Sequence, residues 1–116
     1  QDMPKSANSF FKVEMLLLKI LNEQECYGYQ ISQILKQLSC DKICLAEGTL
    51  YPILYKLVDA GYVNDKKELV GKRRTRVYYS ITDEGKEYLG KIYSEYQDMS
   101  LCIDSIMKWK GGDDNE

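Results

Sequence analysis

The feature that most constrains this chain is a change of period at Gly61: before it apolar residues recur at helical spacing, and after it they alternate. In "EGTLYPILYKLVDAG" (Glu47 to Gly61), Leu50, Leu54, Leu57 and Val58 fall on one face of a helix over roughly residues 48–60. Pro52 has no amide hydrogen to give an interior helical bond, so the helix is expected to start just before it, and Gly61 suits the C-terminal stop. Beyond Gly61, "TRVYYSI" sets Val77, Tyr79 and Ile81 against Arg76, Tyr78 and Ser80. With "YVND" it predicts a two-stranded hairpin, whose long tip carries Lys66, Lys67, Gly71, Lys72, Arg73 and Arg74.

Two further helices precede this switch. "FFKVEMLLLKIL", residues 10–21, is apolar on nearly every side and predicts a helix buried around most of its circumference. Residues 27–38 resume after the break "NEQEC", with Ile31, Ile34, Leu35 and Leu38 on one face. Thr82 is a natural N-cap for a last helix over 83–109, followed by Asp83 and Glu84 where the helix dipole favours acids. Along that helix Leu89, Ile92, Tyr96, Met99, Ile103 and Ile106 are spaced three and four in turn, a heptad seam suited to helix-on-helix packing. A dimer seam is favoured over an intramolecular stripe, because a lone domain offers the far end of so long a helix little to bury against.

The fold class is therefore mainly α with a small β-hairpin. A winged helix-turn-helix domain spans residues 10–82, a C-terminal dimerisation helix spans 83–110, and residues 1–9 and 111–116 read as flexible tails. The 116 residues fit one domain with a real core. Met3 reads as a candidate native start after Gln1 and Asp2. The polar opening and the lack of a run of ~20 apolar residues favour a cytoplasmic protein over an exported or membrane-spanning one.

The net charge of −2 argues against nucleic acid only on average. Between Lys66 and Arg76 lie six of the sixteen basic residues, including all three arginines, against the single acid Glu68. The remainder of the chain is strongly acidic, so the charge forms a directed field. In a winged helix-turn-helix, the second helix of the pair enters the major groove and the hairpin lies along the adjacent backbone or minor groove. Thr49, Tyr51, Tyr55 and Lys56 then face DNA from the helix, and Lys72, Arg73, Arg74 and Arg76 from the wing. Tyr51 and Tyr55 half-buried at a protein contact, and a merely solvated basic tip, are the blander alternatives.

No histidine, glycine-rich phosphate loop or metal-ligand cluster is present, so neither enzyme chemistry nor a cofactor is expected. Cys26, Cys40, Cys44 and Cys102 read first as reduced packing thiols. Tyr88, Tyr93, Tyr96 and Trp109 on the last helix could line a cavity for a small aromatic effector or simply fill a dimer core; Tyr96 is the first choice for stacking.

"YGYQI" (27–31), "EGTLYPILYKL" (47–57), "AGYV" (60–63) and "RVYYSITDEGKEYL" (76–89) occur in an order and at gaps that resemble the PadR-type transcriptional regulators. The resemblance covers essentially residues 10–109. It implies a homodimeric winged-helix repressor of the compact subgroup with a single C-terminal helix, bound to a pseudo-palindromic operator. It also implies control of detoxification or efflux genes, the regulator's own among them, relieved by a small aromatic effector. Lys72, Arg73 and Arg74 stand where many members carry proline at the wing tip, and Cys40 and Cys44 lie outside the family pattern. An adaptor that uses the same dimer for protein contacts alone is the competing reading, and the clustered arginines count against it.

Overall fold

Leu17, Leu18, Ile31, Leu50, Leu54 and Leu57 come from three helices and are each at most 2% exposed in a computed structural model that describes residues 11–112. Each such side chain taken out of water favours folding by ~1.5–3 kcal/mol before conformational entropy is counted. Around this centre run α1 (Val13–Glu23), β1 (Cys26–Tyr27), α2 (Gly28–Leu38), α3 (Glu47–Asp59), β2 (Val63–Leu69), β3 (Thr75–Ile81) and α4 (Asp83–Met107). The sheet is antiparallel with strand order β1-β3-β2. This is the expected mainly α winged helix-turn-helix. Among the described residues no helix is long and apolar enough to cross a membrane.

Local chemistry accounts for most boundaries. α1 buries Met15, Leu17, Leu18, Ile20 and Leu21, the broad apolar face read from its sequence. It begins at Val13, after Lys12, and runs two residues beyond the expected end; Phe10 lies outside the described residues. At the start of α2 the Gln30 side-chain oxygen accepts a hydrogen bond from the Tyr27 amide at 3.3 Å, capping one of the free N–H groups. α2 ends in a Schellman turn closed by Cys40 N–H to Gln37 and Asp41 N–H to Lys36, at 3.3 and 2.8 Å. Cys40 and Asp41 both take left-handed backbone there, with φ 55° and 67°, although neither is glycine.

Three features depart from the sequence reading. Pro52 lies inside α3 rather than at its start, because the helix begins five residues earlier at Glu47. The carbonyl that Pro52 cannot serve belongs to Gly48, an exposed residue in the first turn of the helix. The sheet has a third strand: Cys26 and Tyr27 pair with Tyr79 and Tyr78 along the free edge of β3. The wing is also more strand than loop. Lys66 and Lys67 lie within β2 opposite Tyr78 and Val77, and a Val70 N–H to Arg74 carbonyl bond of 2.8 Å closes a short tip.

The apolar stripe on α4 divides. Ile92 is 3% exposed in the core of its own chain, with Leu89 and Tyr96 half-buried against the same cluster. Met99, Ile103 and Ile106 on the distal half are exposed. Of the four thiols only Cys26 is buried, and burial is the main cause pushing its pKa up; Cys40, Cys44 and Cys102 are exposed, contrary to the packing expectation. Among the described residues no three histidine, cysteine or acidic side chains group to hold a metal ion.

Candidate nucleic-acid interface

α3 reaches the surface because its apolar residues recur at positions 50, 54 and 57, leaving the opposite side to water. Thr49, Pro52, Tyr55 and Lys56 are all exposed, Tyr55 to 56%. They supply two hydroxyls, an ammonium and an aromatic ring, groups suited to phosphates and to the methyl groups of thymine. Pro52 adds a ridge without a donor.

Tyr51 occupies a different environment. Its ring is half-buried, and its hydroxyl end lies where a Cβ on Gly28 would be. Burial raises its pKa first, the nearby Glu47 next and Tyr55 last. Gly28 therefore serves as a seat for Tyr51, so the "YGYQI" and "GTLYP" segments pack on each other at the crossing of α2 and α3. The sequence signal for this contact was a glycine at the first position of a helix, where glycine has no local advantage. Tyr51 and Tyr55 remain neighbours, with ring centroids 6.0 Å apart, and both lie close enough to Tyr79 to help burial push that phenol up to about 12.

The wing separates its charges by role. Lys72, Arg73 and Arg74 at the tip are exposed, and among the described residues no carboxylate lies within ion-pairing distance of them. Gly71, at φ +127°, takes the turn that other residues rarely adopt. Lys66 is tied to Glu68 at 3.1 Å. The Arg76 guanidinium stands 4.1 Å above the centre of the Tyr27 ring, and Tyr27 meets Tyr78 edge to face at 5.6 Å. This cation–π contact holds Arg76 half-buried on the outer face of the sheet, away from the tip.

The remaining sequence candidates lie on α4. The rings of Tyr93 and Tyr96 are stacked in near-parallel planes with centroids 6.3 Å apart, and Tyr93 is exposed. Trp109 falls just past the end of the helix and is 70% exposed. Tyr88, which periodicity marked only as another aromatic, is instead a hub. It stacks on Tyr62 at 4.3 Å and 6°, donates its hydroxyl to Glu14 of α1, and carries the Lys12 ammonium 5.9 Å from its ring centre. Burial and then Glu14 hold its pKa well above the tyrosine range.

A helix-turn-helix with an exposed helix face, followed by a hairpin with an exposed cationic tip, defines a winged-helix DNA-binding protein. Residues 17–91 match the Transcriptional regulator PadR-like family. The chain belongs to this family, and is a transcriptional regulator of that type. It is 29% identical over 73 residues to the negative transcriptional regulator PadR of Bacillus subtilis, covering 63% of this chain and 40% of that protein. An uncharacterized protein of Lysinibacillus sphaericus is 29% identical over 106 residues, which cover 83% of this chain and 88% of that one.

Solved structures agree. A transcriptional regulator from Clostridium thermocellum superposes with a TM-score of 0.77 at 28% identity, covering 83% of this chain and 93% of that one. A Streptococcus mutans protein gives 0.74 at 35% identity, over 91% and 95% of the two chains.

Proposed function

We propose that the chain is a homodimeric, sequence-specific repressor. Each protomer places α3 in one major groove of a pseudo-palindromic operator and sets its wing on the flanking backbone. The observation that carries this reading is the exposed Lys72-Arg73-Arg74 tip, with no ion-pair partner among the described residues, in the same chain as the exposed Thr49, Tyr55 and Lys56 on α3. Tip arginines and lysines bind phosphate without regard to sequence, while the α3 side chains reach base edges. Tyr51 and Arg76 contribute mainly from behind, one by fixing the crossing of α2 and α3 and the other by bracing the sheet. The bare distal half of α4, with Met99, Ile103 and Ile106, meets its counterpart in a second protomer.

The Tyr93–Tyr96 pair supports a small aromatic effector, with Tyr96 stacking and Trp109 closing from the helix end. A ligand that binds one arrangement of the two α4 helices better than another shifts the population and lowers DNA affinity; a coupling of ~1–3 kcal/mol corresponds to roughly 5- to 150-fold. Likeness to the compact subgroup favours detoxification or efflux genes as targets, and the gene for this chain among them.

Fluorescence anisotropy tests the DNA reading on the duplex upstream of the chain's own gene against a scrambled duplex across a salt series. Tight, salt-steep binding to the first alone is the expected result. No binding to either duplex at low salt would transfer the assignment to a protein adaptor.

A further inference from the structure

Taking the DNA-binding dimer above as its premise, the structure locates the joint that orients the reading head. α3 is closed after Asp59 by a Schellman turn through Gly61, φ +85°: Gly61 N–H donates to Val58 and Tyr62 N–H to Leu57, both at 3.0 Å. The Gly61 carbonyl, two residues past the end of α3, accepts a 2.7 Å hydrogen bond from the Thr82 hydroxyl. The same Thr82 oxygen accepts the Gly85 amide at 2.9 Å in the first turn of α4. The Thr82 amide donates to the Tyr62 carbonyl at 3.0 Å. One side chain thus serves the turn that follows α3 and the first turn of α4 at once. A hydroxyl can donate and accept through a single atom in this way, which the isosteric valine side chain cannot do.

The surroundings resist rotation about this point. The Tyr62 carbonyl lies where a Cβ on Gly85 would be, so the α4 backbone rests directly on the turn that follows α3. The Tyr62 ring is stacked on Tyr88, and Tyr88 is bonded to Glu14 of α1. Changing the angle between α3 and α4 therefore breaks the Thr82 bonds or slides the stack. That angle is amplified by the length of the lever. α4 has 25 residues and runs ~37 Å, so a tilt of ~10° at its root displaces the distal end by ~6 Å, nearly two base-pair steps.

We propose that Thr82 is a positioning residue for operator recognition: its bridging hydroxyl fixes the angle between α3 and α4, and with it the separation of half-sites that the dimer accepts. Thr82 touches no DNA. It acts through the geometry of Gly61 and Gly85.

The test begins with selection of bound sequences from a random duplex library by the wild-type protein. The selected duplex is then rebuilt with its half-sites moved together or apart by one and two base pairs, alongside a single half-site. Thr82→Val keeps the side-chain shape and removes the bridge, whereas Thr82→Ser retains it. Affinity for each duplex, the dimer dissociation constant and Tm are measured for all three proteins. The expected result is that Thr82→Val loses preference for the selected spacing by about tenfold, the scale of the one bond, to Gly61, that ties α4 to the turn after α3, while its affinity for the single half-site is unchanged. Thr82→Ser behaves as wild type. Tyr88→Phe, which keeps the stack and removes only the bond to Glu14, loosens the spacing in the same direction.

Unaltered spacing preference in both Thr82→Val and Tyr88→Phe overturns the proposal. A uniform fall in affinity for every duplex, tracking a lower Tm, also overturns it and leaves Thr82 a structural cap. Failure of the wild-type protein to enrich any duplex is a separate result, which removes the DNA reading itself.

Discussion

The two halves of α4 share one helix and one spacing of apolar residues, yet they inhabit different environments. Near its root, Leu89, Ile92 and Tyr96 join the core cluster, Gly85 is pressed on the Tyr62 carbonyl and Tyr88 is bonded to α1. Farther along, Met99, Leu101, Ile103, Ile106 and Met107 are all exposed. The difference teaches that an apolar stripe records a need for cover without recording who supplies it. The first half finds cover within its own chain. The second half leaves more bare apolar surface than a lone protomer has reason to keep, and a second copy of the chain is the cover we propose.

The sharpest way to break this contrast is to truncate matched isoleucines. Ile92→Ala is expected to lower unfolding stability by ~2–5 kcal/mol, since it empties a filled core position. In urea unfolding the loss persists at every protein concentration. Ile103→Ala is expected to weaken the dimer instead, so its stability deficit is absent at concentrations where both proteins are monomeric and grows to a plateau as protein concentration rises. Equal, concentration-independent losses for both variants would erase the distinction between the halves.

Two glycines provide a second matched pair. Gly85→Ala drives a methyl group into the Tyr62 backbone, which cannot swing aside as a side chain can, and is expected to cost ~1–3 kcal/mol in thermal unfolding. Gly90, one and a half turns later, has nothing within reach of an added Cβ. Gly90→Ala is expected to stabilise the helix by ~0.5–1 kcal/mol through reduced backbone entropy of the unfolded chain.

A pH titration of stability isolates the root of α4. The Tyr88 pKa lies above its ordinary value of 10.0, because burial and the Glu14 carboxylate favour the neutral phenol in the folded state. That contribution is fully present below pH 10 and is lost as pH rises beyond it, because the unfolded chain then releases its proton first. Denaturant midpoints measured from pH 9 upward are expected to fall, and less steeply for Tyr88→Phe. Tyr79, raised to about 12, adds to the same decline and is unaffected by that substitution.

The smallest effect on the fold and a clear one on binding belongs to the wing. Arg73→Ala with Arg74→Ala leaves the unfolding midpoint unchanged, as both residues are exposed and lie at a hairpin tip. It reduces the slope of log affinity against log salt by ~1.8, about 0.9 for each phosphate that is no longer neutralised.

Much of this was legible in the sequence because the signals were local. Leu50, Leu54 and Leu57 announced the buried face of α3, Gly61 its end, Thr82 the cap of α4, and the alternation of Val77, Tyr79 and Ile81 the strand that became β3. What escaped depended on contacts between distant segments. β1 is two residues long and exists only because β3 offers it an edge. Pro52 sits within α3 although it leaves the Gly48 carbonyl without its helical donor. Tyr51 reads as a wet-face residue by its position, but a glycine 23 positions earlier makes room for its ring. Arg76 reads as one more wing charge until the Tyr27 ring beneath it is taken into account. Periodicity places a side chain on a face; the identity of its neighbour belongs to the tertiary structure.

Hydroxyl-radical footprinting of the selected duplex, with the wild-type protein bound at moderate salt, tests the central claim most directly. A dimer reading two half-sites protects two patches on one face of the duplex, about 10 base pairs apart, with weaker flanking protection from the wings that disappears in the Arg73→Ala, Arg74→Ala variant. A single protected patch, or cleavage indistinguishable from free DNA, would contradict the account.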